Sequence, residues 1–246
     1  MPREARKESS LDLYHVVVQG DGELEIFESD ADKHFYFEQL NKLLGANNAQ
    51  LLAWSILPGH AHLVIRAELQ TLSACMKALN SEYAVYYNQV HGRVGILFRG
   101  RFRSEAIESA ERLKEVVYYV HYASKKQGLT STLSYGWSSF DAYREGSALN
   151  PQVLDAFGGA EGFKTHHSAM NAPAKCLDAA PRKRRVSDGE ALALTLKVFG
   201  EVGLNGVVDM PWKERDKGIA KLKEQGLTGR QINRLTGLSL ATISRA

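Results

Sequence analysis

Two histidines separated by one residue, His60 and His62, are the side chains of this sequence best placed to do chemistry. They follow Pro58-Gly59 and begin an apolar run, so we expect a turn and then a buried strand. Alternate residues of a strand point to the same face, so both imidazoles would lie side by side and could chelate one divalent metal ion. The alternative is that they are only polar residues at the start of a strand, one of them capping the turn.

Three tyrosines within five residues, Tyr118, Tyr119 and Tyr122, fall in a predicted helix that Ser109 would cap. Each of them, taken alone, fits a buried helical side chain. A tyrosine hydroxyl can also act as a nucleophile when a metal ion polarises the phosphate that it attacks. These tyrosines can therefore be interpreted either as core residues or as catalytic residues.

Three arginines alternate along a segment that we predict to be a strand or hairpin over residues 96–107. Arg99, Arg101 and Arg103 would lie on one face, with two phenylalanines on the other. Such a stripe of guanidinium groups suits a phosphate backbone. A solvated edge strand is the alternative.

The hydrophobic pattern predicts elements in the order β, β, α, β, β, α, β, α. The strands are expected over residues 13–19, 24–27, 51–57, 60–66 and 96–107, and the helices over 31–44, 72–91 and 110–124. Hairpins and helices alternate without regular βαβ units. We therefore expect an α+β fold, a ferredoxin-like antiparallel sheet with packed helices.

Composition excludes several classes of protein. The chain has 246 residues and is 44% hydrophobic, which supports a sizeable core. Its two cysteines, Cys75 and Cys176, lack metal-ligand spacing, so a zinc finger or a disulfide scaffold is not expected and a reducing compartment fits best. No apolar run reaches the roughly 20 residues of a membrane helix, and the N-terminus lacks the pattern of a signal peptide. We expect a cytoplasmic protein with no membrane partner.

The net charge of +3 arises after residue 150, where basic residues are in excess. We predict an N-terminal arm over residues 1–12, a catalytic domain over 13–145, a basic linker over 146–188 and a small all-α domain over 189–246. One short helix near residues 151–157 is expected within the linker. The basic run at 181–185 fits either a solvated tether or a phosphate-contacting patch.

The end of the chain has the pattern of a helix-turn-helix. After predicted helices over 190–200 and 213–225, Thr228 would cap one short helix, Gly237 would form the turn and Ser239 would cap a second. A plain helical hairpin is the alternative. The predicted DNA-contacting residues of this domain are Arg230, Thr242, Ser244 and Arg245.

These features together resemble the single-tyrosine HUH transposases, in particular the subgroup associated with repetitive extragenic palindromes, over about residues 13–145. The segments that carry the resemblance are Tyr14-His15-Val16, Pro58-Gly59-His60-Ala61-His62-Leu63, residues 95–104 and Tyr135-Gly136-Trp137-Ser138-Ser139-Phe140. The resemblance implies cleavage and rejoining of single-stranded DNA beside a hairpin, with Mg²⁺ or Mn²⁺ as cofactor, in the nucleoid of a bacterium.

By that resemblance, His60 and His62 are the metal ligands and Tyr119 is the nucleophile that forms a 5′-phosphotyrosine; Tyr118 is the alternative. Lys125 and Lys126, at the end of the same helix, are expected to contact DNA together with the three arginines. The family carries a polar residue four positions after its tyrosine, where this chain has Ala123. Water or another side chain would have to complete the metal shell, and Glu115 shares the face of Tyr119.

Two functions therefore remain in view. One is a DNA-cleaving transposase, favoured by the conjunction of His60, His62 and Tyr119; the other is a catalytically decayed DNA-binding regulator, favoured by Ala123. A metal-dependent hydrolase unrelated to DNA is disfavoured by the arginines and by the lack of a carboxylate cluster. The family often works as a dimer, so a homodimer is open as well.

Overall fold

The computed structural model describes residues 6–22, 24–146, 150–169, 172–179, 186, 188–200 and 206–246. The chain divides into two compact units, Met1–Ala180 and Pro181–Ala246. In the described ranges, no helix combines the length and the hydrophobicity that a membrane span requires.

A four-stranded antiparallel sheet forms the centre of the first unit. Its strands are β1 (Leu13–Gln19), β2 (Gln50–Leu57), β3 (His60–Arg66) and β4 (Arg103–Ile107), in the order β2-β3-β1-β4. Helix α1 (Asp30–Ala46) follows β1, and helix α2 (Leu69–Val90) follows β3. The resulting βαββαβ order confirms the predicted ferredoxin-like α+β fold.

Helices cover both faces of this sheet, which explains why every residue of β1 is buried. On one face, α1 and α2 enclose alternate strand residues such as Tyr14 and Leu63. On the other face, helix α3 (Ala110–Lys126) packs Val120 against Leu13 and Val64. The side-chain period of two therefore divides each central strand between two cores.

Two of the predicted strands, residues 24–27 and 96–107, are absent or shorter in the structure. Residues 24–27 form no strand; instead the Phe27 amide donates to the Pro58 carbonyl (2.9 Å), and the Tyr83 hydroxyl donates to the Ile26 carbonyl. Only residues 103–107 of the second segment are a strand. Gly95 (φ 118°) and Gly100 (φ 74°) take a backbone conformation that breaks strand alternation.

The predicted stripe of Arg99, Arg101 and Arg103 on one strand face is therefore wrong. Arg99 and Arg101 lie in the loop before β4, and only Arg103 lies on the strand. The positive φ of Gly100, between Arg99 and Arg101, interrupts the strand alternation on which the stripe depended.

The segment expected to be a linker contains folded helices. Helices α5 (Pro151–Phe157) and α6 (Ala160–Ala169) lie within that segment, helix α4 (Phe140–Arg144) precedes it, and all three belong to the first unit. Phe157 and Phe163 are buried in the same core as α3. A hydrogen bond of 3.1 Å between His121 Nδ1 and His167 Nε2 ties α6 to α3. The basic run at 181–185 lies outside the described residues.

The second unit is helical, with helices α7 (Asp188–Phe199), α8 (Trp212–Glu224), α9 (Gly229–Thr236) and α10 (Leu240–Arg245). Thr228 caps α9 in a reciprocal capping box with Gln231, Gly237 ends it with φ 68°, and Ser239 caps α10. Both caps and the turn lie where the sequence placed them. The core of the unit includes Ile232, Leu238 and Ile243, which pack α9 against α10.

The buried pair of His121 and His167 should make the first unit sensitive to acid. Burial lowers the pKa of His167 to about 4 and that of His121 well below its usual range. Between about pH 6.5 and pH 4 these histidines are therefore protonated in the unfolded chain but neutral in the folded chain. The free energy of unfolding consequently falls as the pH is lowered through that window. His167→Phe should reduce this slope by up to about 1.4 kcal/mol per pH unit.

Urea unfolding at several pH values between about 7 and 4 measures the slope. The exposed His34→Gln is the matched control and should keep the wild-type slope. Equal slopes for His167→Phe and the wild type would contradict this prediction.

Candidate active site

Three histidines of the central strands face α3. In the antiparallel register of β1 and β3, Val17 lies opposite His62 and Gln19 lies opposite His60. His15, two residues before Val17, points to the same face. Its Nε2 lies 3.0 Å from Nδ1 of His62, so the two rings share one hydrogen bond. The sequence predicted the shared face of His60 and His62 but gave His15 no role in orienting them.

His15 and His62 are buried and neutral, and the neutral state is the one that a metal ligand requires. Burial, followed by the charges of His60 and His15, holds the pKa of His62 well below its usual range. Burial likewise lowers the pKa of His15 to about 4. The Nε2 atom of His62 is buried and makes no hydrogen bond to any described residue. A buried nitrogen left in this state fits a lone pair reserved for a metal ion.

A carboxylate completes the group. Asp178 Oδ1 lies 3.7 Å from His62 Nε2, and one donor atom each from His60, His62 and Asp178 lie within 4.8 Å of one another. Burial opposes the charged form of Asp178, but hydrogen bonds, foremost from Lys126, outweigh it and lower the pKa of the carboxyl group. Two imidazoles and an ionised carboxylate suit a divalent metal ion.

Tyr119 lies against this group from α3. Its ring centroid is 5.6 Å from that of His62 and 6.0 Å from that of His15. Lys126 Nζ donates to Tyr119 Oη at 2.9 Å and to Asp178 Oδ2 at 2.5 Å. Burial nevertheless raises the pKa of Tyr119 to about 12. The phenol is therefore protonated at neutral pH, with a cation already beside its oxygen.

The neighbouring tyrosine does not reach the histidine pair on the sheet. Tyr118 lies beside His166 and His167 of α6, with ring centroids 6.0 and 5.2 Å away. Of the two nucleophiles considered from the sequence, the fold brings Tyr119 to His62. Consecutive helical residues are rotated by about 100°, which explains the difference.

The third candidate ligand, Asp178, was not predicted from the sequence. Ala123 is buried one turn after Tyr119, and Glu115 accepts a hydrogen bond of 2.6 Å from Arg112 rather than joining the metal-binding group. Asp178 lies instead in the pattern-poor segment that was expected to be a linker. No spacing rule connects it to His60 and His62, because only the chain path after α6 brings it there.

The segment around Asp178 is held across the site by three contacts. Arg103 Nη1 donates to the Asp178 carbonyl at 2.8 Å, the Leu177 amide donates to Glu105 at 2.9 Å, and Arg112 donates to the Lys175 carbonyl at 3.0 Å. Arg103 is therefore placed beside the site, although its neighbours in the expected stripe are not on the strand.

The other candidates for DNA contact occupy the surface. Arg99, Arg101, Lys125 and Lys126 are exposed on the first unit, and Lys126 also donates a hydrogen bond to Tyr119. On the second unit, Arg230, Ser244 and Arg245 are exposed and Thr242 is half-buried. The Thr242 amide donates to Ser239 Oγ at 3.1 Å, which fixes the start of α10.

The proposed ligand group can be tested by metal titration. We expect wild-type protein to bind Mn²⁺, Asp178→Ala to bind it at least about tenfold more weakly, and His62→Ala to lose binding. Electron paramagnetic resonance of free Mn²⁺ measures the affinity. Glu115→Ala removes a nearby carboxylate outside the group and should bind like the wild type. Undiminished affinity in Asp178→Ala would exclude Asp178 as a ligand.

Comparison with known proteins gives a family and a fold. Residues 9–123 match the family model described as "Transposase IS200 like". No curated protein matches the chain. The structure of a REP-associated tyrosine transposase bound to a REP hairpin is similar, with a TM-score of 0.51 and 16% identity over 76% of this chain and 100% of that one.

A crystal structure from Deinococcus radiodurans R1, described as a transposase, has 16% identity over 52% of this chain and 94% of that one. Its TM-score is 0.34, so it adds nothing to the fold assignment.

Proposed function

Residues 9–123 belong to the IS200-like transposase family, and from that premise we propose that this chain cleaves and rejoins single-stranded DNA beside a hairpin, with Tyr119 as its nucleophile. The observation that carries the proposal is the position of Tyr119, whose hydroxyl accepts a hydrogen bond from Lys126 and whose ring lies against His15 and His62. A pure DNA-binding protein would have no use for a buried phenol held by a cation opposite paired imidazoles.

In the proposed reaction, Tyr119 Oη attacks the scissile phosphorus. A P–Oη bond forms as the phenol loses its proton, the bond from phosphorus to the 3′ oxygen breaks, and that oxygen takes up a proton, so that a 5′-phosphotyrosine and a free 3′-OH result. The ammonium group of Lys126 stabilises the negative charge that develops on Oη, because it already donates to that atom at 2.9 Å. Rejoining is the same exchange in reverse with another 3′-OH, so no external energy source is needed.

His60, His62 and Asp178 would hold a divalent cation, which when bound would polarise the scissile phosphate. His15 orients His62 through their shared hydrogen bond of 3.0 Å. Burial of His15, His60 and His62 strengthens the charge interactions around the nucleophile.

A catalytically decayed DNA-binding regulator is the second candidate, because Ala123 stands where the resembled family has a polar residue. Asp178 weakens that argument, since its carboxylate would provide a ligand from elsewhere in the chain. The second unit would serve either function. We propose that α9, Gly237 and α10 act as a helix-turn-helix that contacts DNA through Arg230, Thr242, Ser244 and Arg245.

The nucleophile is tested with end-labelled, hairpin-flanking single-stranded DNA. Wild-type protein with Mn²⁺ should form a covalent adduct at the 5′ side of the break, and Tyr119→Phe should lose it by at least about a thousandfold, since no other group replaces the hydroxyl. Denaturing gel electrophoresis detects the adduct. Tyr118→Phe is the matched control and should retain it. Binding without an adduct in the wild type would favour the decayed regulator.

The second unit is tested by binding to duplex DNA. Replacing Arg245 by Ala should weaken binding and reduce the slope of log affinity against log salt by about one, the effect of losing one phosphate contact. Fluorescence anisotropy in EDTA measures both. Lys213→Ala, in α8, is the control of equal charge change. If the two variants behave alike, α10 is not the contacting helix.

A further inference from the structure

A second basic site lies apart from the active site, in a groove between α2 and the residues that lead into β4. The groove has a volume of about 490 Å³. It is lined by Arg6, Ser73, Met76, Lys77, Asn80, Ser81, Gly100, Arg101 and Phe102. Three of these side chains are cations, three can donate neutral hydrogen bonds, and none of the described lining residues is acidic.

The three cations that line the groove have no carboxylate partner. Within the part of the chain that the structure describes, Arg6, Lys77 and Arg101 pair with no carboxylate within 4.0 Å. Burial, and then the charge of Arg101, lower the pKa of Arg6. Like charges held together and partly desolvated repel each other, which is unfavourable unless an anion binds between them.

The chain positions these groups by specific contacts. The Arg6 guanidinium stacks on the Phe102 ring, 3.8 Å from its centroid, and donates to the Phe102 carbonyl at 3.1 Å. Gly100, with φ 74°, turns the backbone between Arg99 and Arg101. The turn that removed Arg101 from the expected strand face therefore places it in the groove.

The groove and the active site lie on opposite faces of the sheet but meet at its edge. Phe102 belongs to the core beneath α1 and α2, whereas the next residue, Arg103, bonds to Asp178 on the face covered by α3. Strand β4 is an edge strand. A DNA molecule that crosses this edge would touch Arg101 on one side and Arg103 on the other.

We propose that this groove, lined by Arg6, Lys77 and Arg101, binds phosphodiester groups of the hairpin stem while the adjoining single strand enters the active site. The inference rests on the proposed DNA function and adds a second contact surface to it. A duplex fits better than a single strand, because Phe102 is buried with Arg6 stacked on its ring, and the described lining residues offer no other aromatic ring for base stacking.

Binding of the full-length chain to labelled DNA tests the groove. Lys77→Gln and Arg101→Gln each remove one exposed cation, and the exposed Lys42→Gln on α1 is the matched control. Anisotropy titrations use Tyr119→Phe protein in EDTA at several salt concentrations, with a hairpin carrying a single-stranded flank and with the flank alone. Thermal unfolding verifies that each variant is folded.

We expect each groove variant to bind the hairpin about five- to tenfold more weakly and to lower the salt slope by about one, while the flank alone is bound as by Lys42→Gln. Hairpin affinity and slope equal to those of Lys42→Gln would overturn the groove. Equal losses for the hairpin and the flank would overturn the assignment to the stem. Because no cleavage is measured, these outcomes are independent of whether Tyr119 forms an adduct in the active protein.

Discussion

The antiparallel register of β1 and β3 is the constraint on which the site depends. Because side chains alternate between two cores, this register puts His15, His60 and His62 on the face covered by α3. A slip of one residue would turn these histidines toward α1 and α2. It would also turn the hydrophobic residues that now face α1 and α2 toward α3. The packing that stabilises the sheet therefore also fixes the relative position of the imidazoles, because all three histidines lie on strands and none on a loop.

Burial on that face sets the chemistry of the groups it contains. It holds the imidazoles of His15 and His62 neutral and raises the pKa of the Tyr119 phenol to about 12. Both effects favour the uncharged form in a poorly solvated site. Lys126 and Asp178 supply the charges that the site needs, one against the phenol oxygen and one near His62. The phenol is thus protonated at neutral pH, although the ammonium group of Lys126 lies beside its oxygen.

Local sequence signals predicted what depends on local geometry. The shared face of His60 and His62 follows from strand alternation, and the caps at Thr228 and Ser239 follow from side-chain hydrogen bonds to the nearest amides. The failures arose where distant chain segments or glycine conformations decide. The arginine alternation was broken at Gly100, and Asp178 reaches the site only because α5 and α6 fold back onto α3. Neither event leaves a periodic pattern.

The central claim is that this sheet face and α3 form one metal-dependent site with Tyr119 at its edge. A crystal structure of the Tyr119→Phe protein soaked with Mn²⁺, with anomalous diffraction recorded, tests it directly. The account predicts one anomalous peak bounded by His60, His62 and Asp178. A peak held by other side chains, or full Mn²⁺ binding in solution with no peak between these three residues, would contradict it.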